Sequence, residues 1–221
     1  MTAALETVEL TRYYGKFRAL APTSFVIEPS EIVALSGLNG AGKSTLLMCL
    51  GGLLRPTSGS IRICDHDLYE DEVEAKRRLA FVPDVPRFYI ELTAWEHLQF
   101  IALAHNSGAG FETRAKGILD ELGLWDARDL YPHNYSRGMR LKLGLALALI
   151  RPFNVLILDE PASALDPQAV EFLVAKLKDL RDQGAAILFT THNLDLITAL
   201  NARHWFMRKG ALVQLAPEPR A

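Results

Sequence analysis

Cysteine is scarce: two thiols, Cys49 and Cys64, in 221 residues. Neither has a partner at metal-ligand spacing. The sequence therefore offers no disulfide framework and no cysteine-built metal site, and both thiols are expected as reduced core residues of a cytosolic protein. No charge of one sign dominates. Against 26 Asp and Glu stand 24 Lys and Arg, a net charge of −2, which gives no global electrostatic case for nucleic acid or an anionic membrane surface. Long apolar runs are missing as well. The longest, Leu143 to Ile150, is far too short to span a bilayer, which takes about 20 residues, so any membrane role is expected to run through a partner. Residues 1–6 do not read as a signal peptide. There are no internal repeats, low-complexity tracts or coiled-coil heptads. What is present is 49% hydrophobic and 23% charged, a composition that packs a core. The length suits one large α/β domain or a domain with an inserted lobe.

The chain is organised around Gly37-Leu38-Asn39-Gly40-Ala41-Gly42-Lys43-Ser44, which follows the pattern G-x-x-x-x-G-K-[ST]. A short apolar strand, Glu31 to Leu35, precedes it. A helix beginning Thr45-Leu46-Leu47-Met48 follows. Glycines let such a loop curl so that backbone N–H groups point inward at a polyphosphate. The helix N-terminus adds free N–H groups and the positive end of a dipole. Lys43 is placed to reach the β- and γ-phosphates, and the Ser44 hydroxyl to hold Mg²⁺.

Taken in order, residues 5–10 and 24–28 read as strands. The turn between them holds Arg12-Tyr13-Tyr14-Gly15-Lys16. There Tyr14 is either a flat face for a purine or an ordinary packed aromatic, and the residues alone favour the second. Gly51-Gly52 stops the first helix. Residues 56–59 are a turn, 60–63 an alternating strand, and Asp65-His66-Asp67 a polar loop. A helix over 70–78 leads to a strand at 79–82 and a stiff connector, Pro83-Asp84-Val85-Pro86. From residue 93 to 150 the pattern is helical, with helices over 93–104, 111–122 and 136–150 and no strand signal. This span reads as a helical lobe inserted into an α/β core. The core resumes with Asn154 to Leu158, an unbroken apolar strand of the kind buried on both faces of a parallel sheet. A helix over 168–182 and a buried strand over 185–189 follow, then a hairpin from 205–207 and 211–215. Residues 217–221 are expected to fray.

Chemistry gathers at the carboxyl ends of parallel strands. Asp159 and Glu160 end one such strand. Nucleotide hydrolysis needs a Mg²⁺ across the phosphates and an in-line water. Asp159 is assigned to the Mg²⁺ shell and Glu160 to the water as general base. His192 ends the next buried strand and is assigned to the γ-phosphate or the water. Ser136 is a good N-cap. The same helix start, with a hydroxyl, a glycine and Arg137, also suits an anion. Whether it meets phosphate within one chain or across a dimer does not follow from spacing.

These residues, in this order, resemble the nucleotide-binding subunit of ABC transporters. Gly37 to Ser44 matches the Walker A loop, Leu156 to Glu160 the Walker B strand, Ser163-Ala164-Leu165-Asp166 the D-loop, and His192 the switch histidine. Tyr14 sits where that family has its adenine-stacking aromatic, and Ser136-Arg137-Gly138 at its signature. The resemblance implies a P-loop NTPase fold of α/β class: a RecA-like core with a small antiparallel β-subdomain over about 1–86 and 151–221, and a helical subdomain over about 87–150. It implies Mg-dependent ATP hydrolysis. The expected nucleotide contacts are Tyr14, Gly37, Asn39, Gly40, Ala41, Gly42, Lys43, Ser44, Thr45, Ser136, Gly138 and Asp166. The expected catalytic groups are Glu160, His192 and Lys43; Ser44, Asp159 and Asp84 are expected at Mg²⁺. The implied partners are an integral membrane permease on a separate chain and a second copy of this subunit, head to tail, with Ser136 and Gly138 acting across the dimer. No nucleic acid is expected. The implied location is cytoplasmic, peripheral at the inner face of the cell membrane.

Two motifs depart from the usual pattern. The signature Leu-Ser-Gly-Gly-Gln reads Tyr-Ser-Arg-Gly-Met here, and the Q-loop glutamine is Asp84. Both look like the exporter branch that handles drugs, bacteriocins, sodium or lipid-linked cargo. Arg137 is expected to add positive charge beside the opposed phosphate, and Arg87-Phe88-Tyr89 to lie near the surface that grips the permease. The alternative is a soluble relative working on ribosomes or DNA. Those relatives carry two nucleotide domains per chain or a long coiled-coil insertion, and this chain has neither. A regulator without hydrolysis would have lost the base, and Glu160 is present.

Overall fold

The computed structural model describes residues 2–214. Two compact units divide the chain. One comprises the described residues up to Phe81, Phe153–Glu160 and those from Lys176 onward; the other comprises Val82–Pro152 and Pro161–Ala175. Leu215, expected in the closing hairpin, and the frayed 217–221 lie outside the described residues.

The first unit begins with β1 (Leu5–Tyr14), β2 (Phe17–Ile27), β3 (Ile32–Gly37), α1 (Lys43–Leu50), β4 (Ser58–Ile63), β5 (His66–Asp67), α2 (Glu72–Arg78) and β6 (Leu79–Val82). The chain then enters the second unit with α3 (Ala94–Ala104), α4 (Phe111–Glu121) and α5 (Arg137–Leu149). It returns through β7 (Val155–Leu158), re-enters the second unit at Pro161–Ala175, where α6 (Pro167–Asp182) begins, and continues in the first with β8 (Ala186–Thr190), α7 (Leu194–Ala199), β9 (Arg203–Arg208) and β10 (Ala211–Gln214).

Two sheets form. One has the order β10-β9-β3-β8-β7-β6, the other β2-β1-β4-β5. In the first, β3 runs parallel to β8 and β9, and β7 parallel to β8, with Leu35 opposite Thr190 and Leu158 opposite Phe189. Every residue of β7 and β8 is buried, as unbroken apolar runs between helical layers require. The second sheet is antiparallel. After its polar first turn α1 is apolar, and Leu46, Leu47, Cys49 and Leu50 are wholly buried. They share a core with Leu5, Leu20 and Ile61 of the antiparallel sheet and Val33, Leu35 and Trp205 of the other. Each buried leucine contributes about 2 kcal/mol, so α1 is held by packing rather than by its short length.

The first hairpin is longer than expected. Its strands reach Tyr14 and Phe17, which pair across a two-residue turn, so Tyr14 lies in a strand and not on a loop. A bulge hides this in the sequence. Glu9 has φ 48, its N–H goes to Ser24 Oγ at 2.8 Å, and the register slips between Thr7 and Leu10. The slip breaks the period-2 alternation that marks a strand. Gly59 fits against that bulge because a Cβ there would lie 2.5 Å from the Val8 and Glu9 carbonyl oxygens. Two further expectations are corrected. His66 and Asp67 form a short strand on β4 rather than a loop. The helix α7, one turn and a half long, was not foreseen.

The second unit packs α3, α4 and α5 around Leu98, Ala102, Ala115, Leu119, Leu143 and Ala146. Trp95 lies edge-on to Phe111 and Trp125, at 5.0 and 5.9 Å. Thr93 and Glu96 cap α3 reciprocally. The connector after β6 lies against α5 at Gly144, where a Cβ would come 2.8 Å from the Pro86 ring.

Candidate functional site

Within the first unit, the loop between β3 and α1 has the curled backbone its glycines suggest. Gly37 has φ 148, and a Cβ there would sit 2.3 Å from the Met207 carbonyl oxygen. At Gly42, φ is 108 and a Cβ would be 2.7 Å from the Ala19 carbonyl oxygen. Both positions need glycine for conformation and for space. No side chain caps the start of α1, so its first N–H groups are not claimed by a capping residue. A cavity of about 350 Å³ lies over the loop, lined by Tyr14, Phe17, Ala19 and the run Asn39 to Thr45. Lys43 is 8% exposed. Its Nζ donates to the Gly37 carbonyl at 2.7 Å, as a buried ammonium demands. Tyr14 and Phe17 stand at the mouth as a cross-strand pair. The Arg12 guanidinium lies 4.8 Å from the Tyr14 ring centroid.

The same unit places the strand ends together. The Thr190 hydroxyl donates to Asp159 Oδ1 at 2.6 Å and accepts from the Glu160 N–H at 2.8 Å. Glu160 adopts φ 48, a left-handed conformation unusual for glutamate. Its Oε1 lies 3.4 Å from His192 Nε2, and that nitrogen is 3.4 Å from Lys43 Nζ. His192 is held just before α7 by two local bonds. The Thr191 hydroxyl accepts the Asn193 N–H at 3.0 Å, and the Asn193 side chain caps Asp195 and Leu196. Lys43, His192 and Glu160 thus form a contiguous polar chain beside the loop. Phe17, Ala19 and Thr190 were not singled out from the sequence. The one signal for Thr190 is a hydroxyl ending an otherwise apolar buried strand; Phe17 was hidden with the rest of the hairpin.

In the second unit, Ser136 caps α5 by accepting the Met139 N–H at 3.2 Å. The preceding Tyr135 is buried, and its hydroxyl donates to the Ala127 carbonyl at 2.7 Å. Burial pushes that phenol up to about 12. Gly138 sits so close to the 161–166 loop that a Cβ would meet the Ala164 carbonyl oxygen at 2.6 Å. Asp84, expected at the metal, takes two donors on Oδ1: Arg137 Nη2 at 2.9 Å and the Ser163 hydroxyl at 2.9 Å. Arg137, expected toward a phosphate, is therefore occupied within its own chain. Asp166 accepts the Ala169 N–H at 2.9 Å and Lys142 Nζ at 3.1 Å. Those two contacts, the backbone N–H first, hold its carboxyl below the usual range. Nearby, Tyr89 is largely exposed and edge-on to the exposed Phe100 at 5.7 Å. Buried His97 fixes it by accepting the Tyr89 N–H at Nε2, 2.9 Å away, while Nδ1 lies 2.7 Å from the Thr93 carbonyl.

A glycine-shaped phosphate loop at the end of a buried parallel strand, followed by an uncapped helix and flanked by strand-end carboxylates, defines a nucleotide-binding protein. Comparison with known proteins narrows the class. Residues 20–163 match the family model described as ABC transporter. The chain is 35% identical over 86% of its length to the ABC-type transporter ATP-binding protein EcsA of Bacillus subtilis (strain 168), covering 77% of that protein. It is 33% identical over 95% of its length to the SkfA peptide export ATP-binding protein SkfE of the same strain, covering 87% of it. Among solved structures, an ATP-binding subunit of an ABC transporter superposes with a TM-score of 0.88 at 34% identity, over 96% of this chain and 90% of that one. A dimeric bacterial ABC transporter cassette superposes with a TM-score of 0.86 at 25% identity, over 96% of this chain and 99% of that one.

The chain belongs to the ABC transporter family, as one of its ATP-binding subunits. Subunits of this kind bind and hydrolyse ATP to power a membrane permease. No helix among the described residues is long and apolar enough to cross a membrane.

Proposed function

We propose that this chain binds Mg-ATP at the loop Gly37 to Thr45 and hydrolyses it to drive export through a permease on a separate chain. It works as a homodimer held peripherally at the inner face of the cell membrane. The observation that carries the reading is the polar chain Lys43–His192–Glu160 beside that loop, with 3.4 Å between successive groups.

The residues fit the nucleotide and its metal. The clashes that a Cβ would make at Gly37 and Gly42 mark a cradle shaped by backbone, and the cavity above it offers room for phosphates. Ser44 and Asp159 supply hydroxyl and carboxylate oxygens, the hard donors Mg²⁺ takes. Among the described residues no group of three or more His, Cys, Asp or Glu is placed to hold a metal ion. Bound there, Mg²⁺ would supply charge neutralisation for the phosphate group in transfer.

Each group then has a task. Lys43 exchanges the Gly37 carbonyl for phosphate oxygen without moving its charge far. Glu160 takes the proton of the attacking water. The Thr190 hydroxyl holds its backbone N–H at 2.8 Å. His192 holds the γ-phosphate or the water, and Tyr14 stacks on the purine. Ser136, Gly138 and Asp166 serve the nucleotide of the partner subunit. The Tyr89 and Phe100 face, stiffened by His97, meets the permease. Export is supported by the residues at 84 and 137 and by the likeness to a subunit named for peptide export.

The test is affinity purification from detergent-solubilised native membranes in Mg-ATP, with identification of what co-purifies. A stoichiometric polytopic membrane protein is expected. Ribosomes or nucleic acid in its place would overturn the reading.

A further inference from the structure

Two of the positions that depart from the family pattern, Asp84 and Arg137, touch each other. Arg137 is the first residue of α5, at the positive end of the helix dipole, where a cation is disfavoured unless an anion answers it. Asp84 is that anion, 2.9 Å from Arg137 Nη2. Its backbone lies between Pro83 and Pro86, and Pro86 rests on Gly144 of the same helix. The Ser163 hydroxyl donates to the same carboxylate oxygen at 2.9 Å, and Arg137 Nη2 reaches that hydroxyl at 3.3 Å, closing a triangle. Two further contacts press the 161–166 loop onto α5: Gly138 against the Ala164 carbonyl, and Lys142 with Asp166 at 3.1 Å. A glycine at 137 would have no side chain to reach this carboxylate, and a glutamine at 84 would offer it no charge.

We propose that Asp84 and Arg137 act as one charged unit. It positions the start of α5 and the Ser163 to Asp166 loop for the reaction, and Arg137 answers to Asp84 and Ser163 rather than to a nucleotide phosphate. The inference rests on the hydrolytic reading above. Arg137 is a positioning residue, and its partner determines whether it is tolerated. The two departures are then a single exchange: either member alone is worse than both or neither.

The experiment is a double-mutant cycle on the full chain with Asp84→Gln, Arg137→Gly and the double variant. Steady-state Mg-ATP hydrolysis is followed for kcat and KM. Each single variant is expected to lose about fivefold in kcat at nearly unchanged KM, and the double to return close to the native rate, a coupling of the size that contacting pairs show. A raised KM in Arg137→Gly that persists in the double would place Arg137 on the nucleotide and overturn the proposal. Additive losses would overturn it too. If the native chain hydrolyses no ATP, the hydrolytic reading fails. The pair is then read from the same four chains by thermal unfolding without nucleotide. There the double variant should melt about 2 °C above the sum of the singles, an excess that fades in roughly 1 M salt. An additive, salt-insensitive cycle would sink the pair itself.

Discussion

Thr190 and Asp159 are joined by a short bond, Oγ1 to Oδ1 at 2.6 Å, while the same hydroxyl accepts the Glu160 N–H at 2.8 Å. One wholly buried residue at the end of β8 therefore sets both carboxylates at the end of β7. Thr190→Val keeps the shape and removes both bonds, leaving the Glu160 N–H without that acceptor. The variant is expected to lose about 1–3 kcal/mol of stability in urea unfolding. A fall in kcat of about tenfold is expected with it, since misplacing a catalytic group costs rate before it costs binding. An unchanged kcat would show that Thr190 does not orient the carboxylates.

Glu160→Gln separates binding from chemistry. The amide keeps the side chain's length and its approach to His192 but cannot take a proton from water. Turnover is expected to fall by about 10²–10⁴-fold, the worth of a positioned base, with ATP affinity held within a factor of about two. Nucleotide binding measured by fluorescence, alongside phosphate release, decides it. Unchanged turnover would refute the assignment of Glu160 as base.

Much of this molecule is legible in its sequence, and the reasons are local. The Gly37 to Ser44 loop has a fixed pattern because phosphates demand backbone N–H groups and glycines demand little else. The runs at 155–158 and 186–189 are unbrokenly apolar because both faces are covered. The first hairpin was under-read because the Glu9 bulge breaks alternation, and Phe17 was missed with it. The helix at 194–199 is too short to show a 3.6-residue period. The Asp84–Arg137 contact joins residues 53 apart in sequence. The resemblance to the family marks each as a departure, and only the fold shows that the two meet.

Gly37 and Gly40 make a paired test of the loop. Both have positive φ, 148 and 77. A Cβ at Gly37 would collide with the Met207 carbonyl oxygen at 2.3 Å, whereas at Gly40 nothing lies within 4 Å. Gly40→Ala therefore carries backbone strain alone, about 1–2 kcal/mol. Gly37→Ala adds a clash with main chain that neither β3 nor β9 can relieve without losing ladder bonds. Chemical unfolding of the nucleotide-free chain should rank Gly37→Ala well below Gly40→Ala, which in turn lies below the native protein. Equal losses would mean that β9 yields easily and that the cradle is softer than its geometry.

The two thiols should differ in reactivity. Burial pushes Cys49 up to about 11, opposed only in part by the charge of Arg12. Cys64, half-buried on β4's end, is raised by burial as well. The thiolate is the nucleophile, so at pH 8 the folded chain presents almost none of it at Cys49. The sign of the linkage follows. A neutral thiol favoured by folding adds stability below the ordinary thiol value of 9.0, and that contribution is lost as pH rises from there toward about 11. Tyr69, whose phenol is pushed up to about 12 mainly by burial, acts in the same direction at still higher pH. Mass spectrometry after maleimide treatment at pH 8 should show Cys64 modified first and Cys49 untouched, with both modified in urea. The unfolding midpoint should fall as pH climbs past 9, and less steeply in Cys49→Ala. Rapid native labelling of Cys49 would mean that α1 opens far more readily than the burial of Leu46, Leu47, Cys49 and Leu50 implies.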